Sequence, residues 1–192
     1  MELYQVYLDS AKKQFRYYKM LGEKAMEQLM PEQLFVAPNE DSNSIATVVK
    51  HLWGNMLSRW TDFRTTDGEK EWRDRDAEFE GDEQDSAELW KQWDEGWTCL
   101  FNALDSIESD QLMDIIYIRN EGHTIMDAIN RQLAHYPYHV GQIIYAAKAL
   151  KDRAWDSLSV PKNQSKQYNQ AKFAEEKGIR HFVEGEVKRL ES

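Results

Sequence analysis

Thr124-Ile125-Met126-Asp127-Ala128-Ile129-Asn130-Arg131-Gln132-Leu133-Ala134-His135-Tyr136-Pro137-Tyr138-His139-Val140-Gly141-Gln142-Ile143-Ile144-Tyr145-Ala146-Ala147-Lys148-Ala149-Leu150 is the stretch that decides the fold class. Ile125, Ile129, Leu133, Tyr136, Val140, Ile143, Ile144, Ala147 and Leu150 recur every three or four positions, the period of a helix with one buried face. Thr124, with Asp127 three residues on, reads as the capping box that starts it. Pro137 removes the bond its N–H would have made to Leu133, so it kinks or restarts the helix. It lies two residues after His135, on the opposite side from His135 and His139, and a bend there need not separate the two rings.

Working outward, three more stripes of the same period appear. Leu3, Tyr7, Ala11, Phe15, Tyr18, Leu21, Ala25 and Leu29 predict a first helix near 2–30, closed by Pro31 and Pro38. Ser42-Asn43-Ser44 offers N-cap oxygens to a second helix near 44–64, with Ile45, Val48, Val49, Leu52, Met56, Trp60 and Phe63 inward. A third, near 86–108, opens at Asp85-Ser86 and carries Leu89, Trp93, Trp97, Leu100, Leu104 and Ile107. With the fourth near 125–150, the pattern predicts an all-α, up-down four-helix bundle.

Two segments break the period. Residues 65–85, which include Thr65-Thr66-Asp67-Gly68-Glu69-Lys70-Glu71-Trp72-Arg73-Asp74-Arg75-Asp76, follow neither a helical nor a strand rhythm, and Asp-Gly signals a turn. They form a long loop between helices two and three. The β-branched run Ile115-Ile116-Tyr117-Ile118 predicts extended chain, with a short hairpin allowed near 112–118. The bundle domain is placed at 1–154, and 155–192 becomes a C-terminal extension packed on it. Trp155 to Pro161 looks extended, and Gly178 and Gly185 make any helix in the charge-rich stretch 169–190 marginal.

Composition narrows the class. The 192 residues carry a formal charge of −10, which argues against nucleic acid as a partner, and they contain no apolar run of about 18 residues that could span a membrane. The N-terminus lacks a basic region followed by an apolar one, so no signal peptide is expected there. The single cysteine, Cys99, cannot form an internal disulfide, which fits a reducing compartment and a cytoplasmic location. Its place in an apolar helical pattern reads as an inert buried thiol.

His135 and His139 stand four apart, a spacing that sets both rings on one helix face with Cβ atoms roughly 5–6 Å apart. Imidazole suits Zn, Ni, Cu and Fe. His51, on the second helix, supplies a third ring if the two helices face each other, and three histidines without a fourth protein ligand leave a coordination position open. The competing reading is an accident of an amphipathic helix, one ring packed and the other solvated. Asn55, one turn after His51, reads either as support for the site or as a surface amide. Arg59, Arg73 and Arg75, with Lys70, could grip the carboxylates of a substrate, since guanidinium matches that geometry with two parallel bonds. Asp67, Glu69, Asp74 and Asp76 could instead absorb those charges in local ion pairs.

The order, spacing and helix placement of these residues resemble the DinB-like superfamily, also called YfiT-like. Its members have a four-helix bundle and a three-histidine metal site, the last two ligands lying in a pattern that ends His-x-Gly-Gln-Ile. Here His51, His135 and His139 followed by Val140-Gly141-Gln142-Ile143 match it, over roughly residues 1–150. Within the superfamily the chain looks like a branch of unassigned activity. Gly54-Asn55-Met56, Ser58-Arg59-Trp60-Thr61-Asp62-Phe63, Thr66-Asp67-Gly68-Glu69-Lys70, Trp72-Arg73, Arg75-Asp76, Glu78-Phe79, Leu158-Ser159-Val160-Pro161 and Gln164-Ser165 suggest that branch. It departs at Arg64, where leucine is usual, and at Glu71, where proline is usual.

The resemblance implies a divalent metal, zinc or nickel, and two classes of function. One is an enzyme in which the metal activates a low-molecular-weight thiol of the bacillithiol type for S-transfer, or water for hydrolysis. The other is a non-catalytic, stress-related binding protein that keeps the bundle. Catalytic residues are unassigned, and no carboxylate lies within one turn of His135 or His139 on their face. The partners expected are a small-molecule substrate or thiol and, because seven Trp and nine Tyr exceed what one bundle core holds, a second copy of the chain in a homodimer. Residues 65–80 and 155–165 carry Trp72, Phe79, Trp155, Leu158 and Val160, and both are expected to fold over the open end of the bundle and line the metal pocket. His123 and His181 should lie elsewhere.

Overall fold

The computed structural model describes residues 3–80, 85–151 and 153–191. Its long helices are α1 (Leu3–Met26), α2 (Ile45–Trp60), α3 (Ser86–Asp105) and α4 (Ile125–Lys151). Each forms where its stripe predicts, one to four residues shorter at most ends. Three starts are capped as read. The Ser44 hydroxyl accepts from Thr47 N–H at 3.1 Å, Asp85 from Ala87 at 2.9 Å, and Thr124 from Asp127 at 3.0 Å. Each such cap is worth about 1 kcal/mol. Pro137 sits inside α4, which is helical on both sides of it.

The bundle is all-α, and its chain path is up-down-down-up rather than a simple alternation. α1 and α4 run in the same direction: the Tyr7 hydroxyl meets Asn130 near their starts, and Lys151 reaches the Gln28 carbonyl near their ends. α2 and α3 are likewise parallel, with Trp53 bonded to Glu95 and Cys99 Sγ close to the Met56 carbonyl. α3 opposes α1, through Lys12 with Asp105 and Lys19 with Asp94. Parallel neighbours need a long return, and the irregular segment 61–80 provides it by running back along α2 towards its N-terminal half. Residues 81–84 lie outside the described residues.

Between the helices Phe15, Trp93, Trp97 and Tyr136 form a chain of edge-on and tilted rings with centroids 5.5–6.5 Å apart, arrangements aromatic quadrupoles favour. Gly22 makes room for this: a Cβ there would fall 2.5 Å from the Trp93 ring. Cys99 is partly buried, its thiol near Thr61, and burial raises its pKa, as expected of an inert thiol.

The hairpin lies later than expected. β1 (Ile115–Ile118) pairs antiparallel with β2 (Glu121–Thr124), Ile116 opposite His123, so the second strand lies beyond the extended run read from the sequence and reaches the cap of the fourth helix. Arg119 and Asn120 turn the chain with φ of 56° and 61°, the left-handed pair of a two-residue hairpin turn. A lone hairpin is marginal in water. This one buries Ile116 and Ile118, and Asp67 accepts the Arg119 and Asn120 N–H groups at 2.7 and 2.8 Å.

The C-terminal stretch is more ordered than its glycines suggest. It holds α5 (Ser165–Ala174) and α6 (Phe182–Glu191), with Gly185 inside α6. Packing overrides propensity there: Val183 is buried, Glu184 pairs with Lys13 on α1 at 2.6 Å, and His181 meets Ser10 at 2.9 Å. Among the described residues no helix is long and apolar enough to cross a membrane.

Candidate metal centre

α2 and α4 run antiparallel and carry His51, His135 and His139 to one place. His135 and His139 come together because they are one helical turn apart. His51 faces them because Val48, Val49 and Leu52 bury the adjoining stripe of α2. The Nε2 atoms of His139 and His135 are 3.1 Å apart, and those of His51 and His135 are 3.5 Å apart. Two imidazole nitrogens bonded tetrahedrally to one zinc at 2.0–2.1 Å would stand about 3.3–3.4 Å apart. One ligand atom from each ring lies within 4.8 Å of the other two. The three histidines form a cluster able to hold a metal ion.

The far side of each ring is occupied too. His51 Nδ1 meets a Glu78 carboxylate oxygen at 2.8 Å, His139 Nδ1 meets Gln142 Oε1 at 2.8 Å, and His135 Nδ1 meets Gln132 Oε1 at 3.3 Å. A carboxylate or an amide oxygen only accepts, so each Nδ1 carries the proton and each Nε2 presents its lone pair to the common point. That is the arrangement of metal-ligating histidines, whose second nitrogen donates to a carboxylate or carbonyl. Burial lowers the His135 pKa to about 3, reinforced by the neighbouring His139, His51, Arg59 and Arg131. Burial also lowers that of His139, against the pull of Gln142. Both rings are therefore neutral near pH 7, the form that ligates.

Of the two segments expected to wall the site, only one does. The short 3-10 turn Ala77–Phe79 packs on α2, held by Lys50 Nζ on the Ala77 and Glu80 carbonyls at 2.6 and 2.9 Å. It lays the Phe79 ring over His51, centroids 5.4 Å apart, and drives Glu78 inward. The expectation for 155–165 is corrected. Asp156 bonds to Gln28 just past the end of α1, and the Leu158 carbonyl accepts from Arg189 on α6, so these bonds hold that stretch on the α1 side. Leu158 is buried there against the core.

The candidate substrate residues separate in the same way. Asn55 is buried and accepts from the Tyr136 hydroxyl at 3.2 Å, which itself accepts from Trp60 Nε1 at 3.1 Å. Arg59 is buried on the Gly68 carbonyl and on Glu69 at 3.2 Å. Arg73 makes two bonds to Glu78, 2.7 and 3.0 Å, with its side chain 2% exposed. Arg75 alone of the four keeps its charge outward, 5.8 Å above the Phe79 ring. His123 lies on β2 and His181 beside Ser10, both apart from the cluster, as expected.

Glu78, Gln132 and Gln142 were not among the site residues read from the sequence. The two glutamines could have been, since each stands three residues from its histidine on a continuous helix. Glu78 had no such signal, lying 27 residues from His51 in a segment without a period.

A four-helix bundle with three converging histidines defines the class of protein. The chain belongs to the family described as "Protein of unknown function (DUF1572)", whose model matches residues 2–164. No curated protein and no solved structure matches the chain.

Proposed function

We propose that this is a divalent-metal-binding protein of the DinB-like superfamily, in which zinc or nickel on His51, His135 and His139 serves S-transfer from a low-molecular-weight thiol of the bacillithiol type to a small electrophile. The observation that carries the metal reading is the convergence of three Nε2 lone pairs while all three Nδ1 atoms are held by acceptors. Three histidines fit a catalytic set better than a closed structural one, which would have four protein ligands. The thiol is the finer part of the proposal and rests on the resemblance. A divalent cation held there is a Lewis acid that favours the ionised form of a thiol presented on its open side. The chain's own part is to keep the rings neutral and aimed, to shield one side with Phe79, and to offer Arg75 at the rim to an anionic group of thiol or substrate. Asn55, Arg59 and Arg73 support this as frame.

Hydrolysis of a small substrate at the same site and metal-dependent binding without turnover are the competing readings, and one experiment separates them. The protein is loaded with Zn²⁺ or Ni²⁺ and offered bacillithiol or coenzyme A with an electrophilic acceptor, and separately an activated ester. Thiol consumption that needs the metal and stops in His135→Ala supports the proposal. Ester cleavage alone assigns hydrolysis, and stoichiometric metal without either turnover assigns binding. Undiminished metal in His135→Ala rejects the site. A homodimer belongs to the same proposal, supported by exposed Tyr138 and Tyr145 seven residues apart on α4. A monomeric mass by light scattering at micromolar concentration rejects that part.

A further inference from the structure

We propose that Glu78 is the positioning residue that sets the metal affinity of this site, acting through His51 and delivered by the segment 65–80. The inference rests on the metal-binding reading above.

The geometry is specific to one carboxylate. Glu78 is buried, 6% exposed, and its oxygens divide three donors between them. Oε1 accepts from Arg73 Nε at 2.7 Å; Oε2 accepts from Arg73 Nη2 at 3.0 Å and from His51 Nδ1 at 2.8 Å. Arg73 in turn lies 3.7 Å from Glu69, which also holds Arg59 and, at 2.8 Å, Arg119 of the hairpin turn. One continuous series of charges therefore fixes Glu78 from behind. His135 and His139 have neutral amides in the corresponding places, so His51 alone receives negative charge on its far nitrogen. That carboxylate accepts the Nδ1 proton and so leaves the Nε2 lone pair facing the metal position.

Gly54 is the second, independent sign. It stands on α2 three residues after His51, and a Cβ there would lie 2.3 Å from Glu78 Oε1 and 3.0 Å from its Cδ. Glycine is a poor residue for a helix interior. Its presence at this point is accounted for by the close approach of the carboxylate, which no side chain on α2 would permit.

The two observations supply two variants that fail in different ways. Glu78→Gln keeps the shape, but either amide orientation sets an NH₂ against an Arg73 donor and removes the charge on His51. Gly54→Ala leaves the carboxylate chemically intact and displaces it, while favouring the α2 helix. Lys12→Ala is the control, because Lys12 ties α1 to α3 through Asp105 without touching a histidine or the segment 65–80. Zn²⁺ affinity is measured by competition with a chelator, Co²⁺ spectra report ligand geometry, and circular dichroism reports helix content. Loss of such an outer partner weakens metal binding about 10–100-fold. That loss is expected in Glu78→Gln and Gly54→Ala, with Lys12→Ala within about threefold of wild type, on the scale of a surface ion pair.

An affinity in folded Glu78→Gln or Gly54→Ala equal to wild type overturns the proposal, and so does an equal loss in Lys12→Ala, which would mark a merely structural role. Should Glu78→Gln not fold, the unaltered metal-free protein still decides. Nitrogen-15 spectra of the imidazoles at pH 8 must show His51 protonated on Nδ1, and a proton on Nε2 overturns the assignment. If wild type takes up no metal in any of these measurements, the metal reading itself fails and takes the proposal with it. Normal wild-type uptake with unaffected variants isolates the failure to Glu78.

Discussion

The segment 61–80 and the C-terminal stretch 155–191 look alike in sequence: both are irregular, charge-rich and dotted with a few aromatic residues. They end in different places. The first turns part of its charge inward, where Asp67, Glu69 and Glu78 each meet groups on another element: the hairpin turn, Arg59 and His51. The second turns most of its charges to solvent and is held by Val183, Leu158 and a few bonds to α1. An ion pair inside a protein constrains position far more than one outside it, because leaving either member unpaired is costly. Buried charge, rather than apolar content, is what distinguishes the strap over the site from the strap on the outside.

The largest expected effect breaks that difference at its centre. Arg73→Ala strands the Glu78 carboxylate beside His51 with two of its three donors gone, and removal of one partner from a buried pair costs about 3–5 kcal/mol. Urea unfolding of the metal-free protein should show it. A loss below about 1 kcal/mol, the value of a surface pair, would place the Arg73–Glu78 pair with the solvated charges and abolish the contrast.

Next in size is the outer segment. Val183→Ala removes two buried methyl groups, about 1.5 kcal/mol at roughly 0.8 kcal/mol each. The expected outcome is local: amide exchange in 182–191 accelerates, while exchange in α2 and α4 and the affinity for Zn²⁺ stay as in wild type. A matching rise in exchange across α2 would show that the tail supports the site after all.

A smaller effect tests the outer latch of the inner segment. Asp67 accepts from the backbone N–H groups of Glu69, Arg119 and Asn120. Burial, the largest single influence, raises its pKa, but those N–H groups and Arg59 together outweigh it, and the balance lies below the usual carboxylate value. A carboxyl depressed on folding stabilises above its unfolded pKa, and that contribution is lost as pH falls through the folded value. Asp67→Asn should therefore cost about 1 kcal/mol at pH 7, the value of one net hydrogen bond. The gap to wild type should narrow below pH 4, read from thermal melts across pH. A gap independent of pH would remove the charge from the account.

How much of this was legible follows the same division. The four stripes were readable because burial on one helix face forces a period of 3.6, and Ile45 to Trp60 or Leu89 to Leu104 fill core positions as read. His135 and His139 were readable because helical spacing carries distance, and His51 because the motif order matched a known pattern. Glu78 was not, since its approach depends on where an aperiodic segment lands and on a gap left by Gly54. The chain path was missed for a related reason: up-down alternation assumes short connections, and 61–85 is long enough to return along the bundle. The second strand escaped because Glu121-Gly122-His123-Thr124 has no strand propensity, and Ile115 to Ile118 supplies the apolar half. The tail helices escaped because burial of Val183 in α6 and the bonds of His181 and Glu184 to α1 outweigh the cost of Gly185.

The smallest effect concerns the one candidate on the inner segment whose charge faces outward. Arg75 stacks on Phe79, and Phe79 on His51, so the guanidinium stands two rings away from the cluster without a buried partner. Exposed stacking of this kind is worth about 0.5–1 kcal/mol at most, and Arg75→Ala should leave the melting temperature and Zn²⁺ affinity close to wild type. Its consequence belongs to ligands. If Arg75 meets an anionic group at the rim, the metal-loaded variant should bind a carboxylate-bearing thiol about twofold to fivefold more weakly, the worth of an exposed ion pair. A thiol of the same reach without the carboxylate should bind both proteins equally. Calorimetry with the two thiols gives a direct comparison, and the salt dependence should vanish together with the arginine. Equal affinities for the charged thiol at low salt would return Arg75 to the solvated charges that the outer segment displays, leaving Phe79 and Glu78 as the only side chains by which residues 65–80 act on the site.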